Sequence, residues 1–457
     1  MAASLSPFPP RLILTLFAPA LFIALVSCRG QDTDSAVVGV DAPTYWDDIA
    51  PVYRDNCVSC HQDGSLAPLA LDSYAAAREW AQASAASVAA RTMPPWGVEG
   101  VSASGGEALA EDVTAPGSCD NEYTNDLWLS DEEIATIEAW VAAGTPEGTP
   151  REVTQPEAPG LAEGLDLMTP EFLPSPVGGG YGDSDEYRCF LVDPGLTEDA
   201  WLTGYEVYPG NAAIVHHVIG MPIDPERVGA GGKTNAMLLA ELDGADGRDG
   251  WPCYAEAGGS IQIEGEYVSW APGQGVVSFP EGSGLKMSTG DLFAIQIHYN
   301  LIAAQGETDT TTVRLNLEDA VERPGQIILM DGWDVNSIAA GDAAATVDWQ
   351  LGRNSIASYT GFDNVVIEGV LPHMHEYGAQ QVMEIGSSDE KSCVTGVRRW
   401  DFEWQRIYFY EEPISLASGE AVWVTCTYDL SAAESNVSWG WGTQEEMCLM
   451  GLFVTGG

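Results

Sequence analysis

From about residue 165 to the C-terminus the chain proceeds in short runs of alternating apolar and polar residues, punctuated by Gly, Pro, Asn and Asp. Phe293-Ala-Ile-Gln-Ile-His-Tyr, Val313-Arg-Leu-Asn-Leu, Val365-Val-Ile-Glu-Gly-Val-Leu and Ala421-Val-Trp-Val-Thr-Cys-Thr-Tyr are of this kind. A period of two turns successive side chains to opposite faces, so such runs bury one face of a strand and solvate the other. The region is thereby committed to antiparallel sheets packed face to face, without convincing helices. Nearly 300 residues exceed one sandwich, and a break near Glu322-Arg-Pro-Gly divides them into halves 165–321 and 322–457. No convincing repeat relates the halves.

Residues 43–147 read instead as helical. Asp48 can cap a helix that carries Pro51 in its first turn and leads to Cys57. A second helix begins near Asp72 and runs through Tyr74 and Trp80. Ser130 and Glu133 form a capping box for a third, with Leu129 stapled to Ile134, and Ile134, Ile137 and Val141 on one face. Gly144 and Pro146 stop it. The long Gly- and Ala-rich stretch before this helix reads as an inserted loop. Residues 148–164, with Pro150, Pro156 and Pro159 among acids, read as a linker.

Arg11 precedes the apolar stretch Leu12 to Val26, which is too short, and too interrupted by Pro19, to span a bilayer. It ends in Leu25-Val-Ser-Cys28, which resembles the lipobox of bacterial lipoproteins. That resemblance implies a signal peptide over 1–27, lipidation of Cys28, a tether over 28–42, and an exported protein held to the cell envelope (outer membrane or periplasm) by its lipid alone. The formal net charge of −50, from 68 acidic against 18 basic residues, repels phosphate backbones and argues against nucleic acid as a partner. Apart from Cys28, Cys57 and Cys60, six cysteines remain, an even number for up to three disulfides in an oxidising compartment.

The six histidines all sit where metal ligands are expected. His61 closes Cys57-Val-Ser-Cys60-His61, the pattern in which two thiols bind haem covalently and the imidazole ligates iron. Structural zinc would need two further suitably spaced ligands, and a redox dithiol would need a βαβ setting; neither is present. Met93, in Arg-Thr-Met-Pro-Pro-Trp, is the candidate sixth ligand, and the stretch resembles class I cytochrome c domains. His216 and His217 are adjacent. Both can reach one metal with His298 only if the strand bends or different ring nitrogens are used. His373 and His375, at i and i+2, share a strand face, and Met447 would complete a His₂Met set suited to cuprous copper.

The run His216-His217, Ile297-His298-Tyr299, His373-Met-His-Glu-Tyr-Gly378 and Glu446-Met447-Cys448, with Trp270-Ala-Pro before the His298 strand, resembles the copper type II, ascorbate-dependent monooxygenases. The resemblance covers about residues 165–455. It implies two jelly-roll-like domains across a cleft, an electron-transfer copper on His216, His217 and His298, and an oxygen-activating copper on His373, His375 and Met447. It also implies a Cys426–Cys448 disulfide. Cys189 with Cys253 is a weaker pairing, and Cys119 with Cys393 is what remains. Leu371, Leu449 and Gly451 replace the residues with which peptide-hydroxylating members hold their substrate, so a small, less polar, non-peptide substrate is expected. Val218 replaces a methionine usual after the histidine pair.

The expected fold is multidomain: a small all-α cytochrome c domain (43–147), then two all-β antiparallel jelly-roll-like sandwich domains. The expected function is C–H hydroxylation with O₂, using two copper ions and one covalent haem c. Single electrons arrive from a donor protein, with the haem supplementing or replacing ascorbate. A non-enzymatic haem/copper electron-transfer or copper-binding lipoprotein would keep the same ligands without turnover, whereas a cell-surface interaction scaffold would carry degenerate metal sites, which metal analysis would distinguish. With every histidine so engaged, no Ser/His/Asp or Cys/His nucleophile remains, and no phosphate-binding Gly loop appears.

Overall fold

The computed structural model describes residues 42–456 except 63–66, 68, 99–118, 120, 125–126, 152–159, 162, 177–184, 255–256, 259, 273, 302–305, 333–336, 403 and 441–444. The lipobox, Cys28 and the body of the inserted loop lie outside the described residues. Described residues from Ala42 onward belong to one compact unit, and none of their helices is long and apolar enough to cross a membrane.

The chain is mostly β, with 16% helix. The first half holds β1 (Leu165–Met168), β2 (Asp185–Val192), β3 (Ala200–Tyr208), β4 (Val215–Ile223), β5 (Trp251–Pro252), β6 (Val268–Trp270), β7 (Val277–Ser278), β8 (Ser283–Met287), β9 (Leu292–Asn300) and β10 (Thr312–Glu318). The second holds β11 (Arg323–Asp331), β12 (Ala345–Gly352), β13 (Val365–His373), β14 (Gly378–Gly386), β15 (Lys391–Val397), β16 (Tyr408–Leu416), β17 (Ala421–Tyr428) and β18 (Leu449–Thr455). A five-stranded sheet has the order β5-β2-β9-β4-β6, and a four-stranded sheet the order β12-β17-β14-β15. The third sheet, nine-stranded, runs β1-β10-β3-β8-β11-β18-β13-β16, with β7 on β3, and so takes strands from both halves. The halves join where β11 pairs parallel to β8 (Arg323 with Ser283), at the break seen in the sequence. Leu285, Phe293, Ile297 and Val313 are fully buried in one core, and Ile367, Val424, Leu452 and Val454 are nearly so in the other.

Two helices interrupt the strands. Thr234 caps α5 (Asn235–Leu242) through its side chain, and α6 (Arg353–Thr360) ends on Gly361, whose φ of 77° suits a residue without a Cβ.

The expected all-α cytochrome c domain followed by separate sandwiches is corrected by this architecture: no all-α N-terminal domain is evident among the described residues. The N-terminal helices α1 (Ala50–Asn56), α2 (Tyr74–Glu79), α3 (Ala81–Ala89) and α4 (Asp131–Ala142) share a small apolar cluster around Ile49, Tyr53, Ile137 and Trp140. The chain between them, however, packs into the second β core. Trp96, Val98 and Tyr123 are buried there, Tyr123 bridges to Tyr410, and the Gly97 N–H donates to the Tyr408 hydroxyl (3.0 Å). The helices thus keep a small apolar cluster among themselves, while the chain between them belongs to the second β core. Their local signals are otherwise as expected. The Ser130/Glu133 capping box forms, with Ile134, Ile137 and Trp140 buried, although Val141 is only partly so. The first helix opens earlier than expected, as a π-turn over Tyr45–Ile49, and Asp48 accepts from the Thr44 N–H (2.7 Å).

Cys119–Cys393, Cys189–Cys253 and Cys426–Cys448 are disulfide-bonded. The first clamps the N-terminal segment to β15 across 274 residues. Converting both Cys119 and Cys393 to serine should therefore cost about 2–5 kcal/mol. Denaturant unfolding monitored by tryptophan fluorescence checks this, and an unshifted midpoint would contradict it.

Candidate metal centres

His216, His217 and His298 converge, with one ligand nitrogen of each within 4.8 Å of the others. The sequence problem of two adjacent histidines is solved by a bulge: the β4–β9 register shifts between Val215 and His217, leaving His217 opposite His298 and His216 as the additional residue. Nδ1 of His216 lies 3.2 Å from Nδ1 of His298. Nε2 of His298 donates to Asp185 Oδ1 (2.9 Å), so its Nδ1, which faces His216, is the unprotonated nitrogen, and Tyr187 stacks on the same ring at 4.1 Å. Nε2 of His217 is buried without a hydrogen-bond partner, an orphaned atom that a metal would satisfy. Burial first, then the nearby His216, His298 and His373, holds the His217 imidazole well below its ordinary pKa. The ring is therefore neutral, the form that binds metal.

Asp185 orients His298 as a carboxylate behind a metal-ligating imidazole does. Asp185→Asn is expected to weaken copper binding at this cluster by ~10–100-fold. Competitive copper titration measures it, and unchanged affinity would remove Asp185 from the site.

His373 and His375 stand with ring centroids 5.1 Å apart at 89°. The Gln405 amide donates to the Phe402 carbonyl (2.8 Å), which turns its Oε1 to accept from His373 Nδ1. His375 Nδ1 donates to the Glu445 carbonyl (3.0 Å). Both rings therefore present Nε2 lone pairs. Burial, and secondarily His375, lowers the His373 pKa to about 3. Met447 is 1% exposed and follows Glu446, a fully buried carboxylate that accepts from the N–H groups of His375 (2.9 Å), Tyr377 (2.7 Å) and Met447 (3.3 Å). Burial raises the Glu446 pKa to about 7 even though these backbone donors oppose it. Tyr428 donates to the Met447 carbonyl (2.8 Å), and Cys426–Cys448 fixes the next residue.

His217 lines the same cavity of 180 Å³ as His373, His375 and Met447, so the two donor sets open onto one space. Leu371, Phe402 and Leu449 make its walls largely apolar. Gly451 lies beneath Leu371, and a Cβ there would come within 2.9 Å of the Leu371 Cβ. Two of the three departures noted in the sequence, Leu371 and Gly451, are thus packed against each other.

A second cavity, of 330 Å³, is lined by Cys57, Cys60, His61 and Met93 together. The two cysteines are free thiols, and burial raises the Cys57 pKa to about 12, which disfavours dithiol redox chemistry. His61 Nδ1 donates to the Leu69 carbonyl (3.1 Å), which leaves Nε2 as the nitrogen with a lone pair to offer. His216 and Trp404 border this cavity as well.

Sequence reasoning gave no role to Asp185, Gln405 or Glu446. Only Glu446 carried a signal, as the residue that opens the run Glu446-Met447-Cys448.

The β-rich scaffold thus brings a three-imidazole cluster and a His₂Met set onto one cavity; three imidazoles alone suit copper or zinc, and the thioether favours copper at the second set. Residues 354–453 match the family model for the C-terminal domain of copper type II ascorbate-dependent monooxygenase. The matched span contains His373, His375, Met447 and the Cys426–Cys448 bridge. It supports copper-dependent oxidoreductase chemistry of the monooxygenase type, with O₂ and a reductant. Three of the solved structures with weak likeness to this chain are a bacteriophage protein, a viral protein and a bacterial one. The major capsid protein P2 from bacteriophage PM2 is 8% identical, with TM-score 0.24 over 60% of this chain and 97% of that one. The infectious bursal disease virus VP2 subviral particle is 10% identical, with TM-score 0.16 over 67% and 74%. Dimeric latent PorU from Porphyromonas gingivalis is 7% identical, with TM-score 0.13 over 60% and 24%. These scores are too low to carry an argument.

Proposed function

We propose that this protein is an exported copper monooxygenase that hydroxylates a C–H bond of a small, apolar, non-peptide substrate, with electrons delivered through a haem bound covalently to Cys57 and Cys60. His216, His217 and His298 would hold one copper, and His373, His375 and Met447 the other. His61 and Met93, which line the same cavity as the two cysteines, would hold the haem iron. Bound copper supplies O₂ reduction and C–H attack, and bound haem supplies single electrons in place of, or beside, ascorbate. In the balanced reaction one oxygen atom enters the C–H bond and the other leaves as water, using two electrons and two protons.

The residues divide the work. Asp185 and Gln405, with the Glu445 carbonyl, hold protons on the distal nitrogens of their histidines, so the opposite nitrogens stay available as donors. Leu371, Phe402 and Leu449 exclude water and leave no charged clamp for a peptide carboxylate. Cys28, as lipid anchor, would keep the enzyme at the envelope.

The observation that carries the reading is that His216 is both a wall of the Cys57/Cys60/His61/Met93 cavity and a member of the three-imidazole cluster, while His217 faces the His373/His375/Met447 cavity. One cluster therefore joins the two spaces. Reduced, copper-loaded protein should transfer ¹⁸O from ¹⁸O₂ into a small apolar substrate. Oxygen uptake with no labelled product from any of a broad substrate panel would favour the non-enzymatic electron-transfer alternative.

A further inference from the structure

Between the two cavities lies a third, of 70 Å³, which shares Pro95 and Trp404 with the Cys57/His61 cavity and Gln405 with the histidine–methionine cavity. Arg91, Arg399 and Arg406 all line it, in a chain with only 18 basic residues. Two of these arginines are already engaged: Arg91 with Asp131 (2.5 Å) and the Leu129 carbonyl (3.2 Å), and Arg399 with the carbonyls of Ala90 (3.0 Å) and Arg91 (3.3 Å). Arg406 is different. Its guanidinium stacks over Trp96 at 5.0 Å, and its buried Nε–H has no acceptor. Trp96, 7% exposed, also lines the cavity, and its indole N–H is likewise unpartnered. Two buried donors without acceptors, in a space ringed by arginines, call for a ligand that only accepts and carries negative charge. Asp401 is the acid at the rim, and it is exposed. The volume suits one carboxylate group or a small oxyanion better than a whole organic molecule.

We infer that Arg406 and Trp96 form a carboxylate-binding pocket between the two cavities, filled either by a small free anion or by a carboxylate reaching in from the group bound at Cys57 and Cys60. The second source rests on the haem reading, since haem carries carboxylates; the first does not. Most of the pocket, including Arg399, Arg406 and Tyr408, comes from the second β half, so that half would grip a ligand whose covalent anchors lie among the helices.

The test is a formate titration of the purified full-length protein, followed by the fluorescence of the tryptophans lining the pocket. It is run on wild type and on a Cys57→Ser/Cys60→Ser protein that cannot attach haem covalently. A free-anion pocket gives saturable binding in both proteins. A pocket filled from the haem side gives binding only in the serine protein, and Arg406→Met in the haem-bearing chain then shifts the haem reduction potential. In either case Arg406→Met, or the milder Trp96→Phe if the first misfolds, should weaken formate by about tenfold or more. Formate binding absent from both proteins, or present but unaffected by both substitutions, would overturn the inference. The visible spectrum of wild type reports haem separately, so its absence would count against the haem reading while leaving the formate result to judge the pocket.

Discussion

Met447→Ala is expected to lower product formation by at least ~100-fold, because loss of a partner that merely supports a metal ligand already costs up to that much. The side chain is 1% exposed and is the one thioether among the described residues that line the 180 Å³ cavity with His373 and His375. Copper at His216, His217 and His298 should be retained, since that cluster lies on β4 and β9. The visible haem spectrum should likewise be unaltered. The check is therefore a split result: copper content falling towards half, activity lost, haem absorption intact. Turnover equal to wild type would exclude Met447 from the oxygen-activating site. Loss of the haem spectrum as well would point to a general folding defect.

Glu446→Ala is expected to damage both stability and the same copper site. The carboxylate is fully buried and gathers the N–H groups of His375, Tyr377 and Met447, so it ties the turn after β13 to the strand entry at β18. Removing it strands three buried donors at ~1–3 kcal/mol each, a loss of about 3 kcal/mol or more. Glutamine retains one acceptor oxygen but turns an NH₂ towards the remaining donors, so Glu446→Gln should recover only part of the loss. Denaturant unfolding of the metal-free protein reads the stability change. Copper affinity at the His373/His375/Met447 set should fall in parallel while the three-imidazole cluster keeps its affinity. A stable variant with unchanged copper binding would contradict the role given to this carboxylate.

Much of this arrangement was legible in the sequence because it depends on local rules. Period-two runs became β9, β10, β13 and β17, the capping box marked a real helix start, and the break at Glu322-Arg-Pro-Gly became the start of β11. His373 and His375 do line one cavity, although not from one strand face, since β13 ends at His373 and His375 lies beyond it; the bend demanded by His216-His217 exists as a bulge. What escaped depends on contacts across long sequence separations. The parallel β8–β11 pairing merges the halves through one sheet, and Trp96, Tyr123 and Cys119 tie the helical region into the second β core. Neither leaves a periodic signature in either partner. The short helices α5 and α6 were hidden for another reason: each is about two turns long, below the length at which helical periodicity separates from a strand run. Asp185 and Gln405 act only through the ring they touch, so spacing alone could not single them out.

The most direct test of the central claim is the copper and haem content of the purified mature protein. The account predicts two copper ions and one covalent haem per chain, with one copper lost in Met447→Ala and the other in His217→Ala. Zinc in place of copper, fewer than two coppers after full loading, or thiols at Cys57 and Cys60 that still react with a thiol reagent would contradict it.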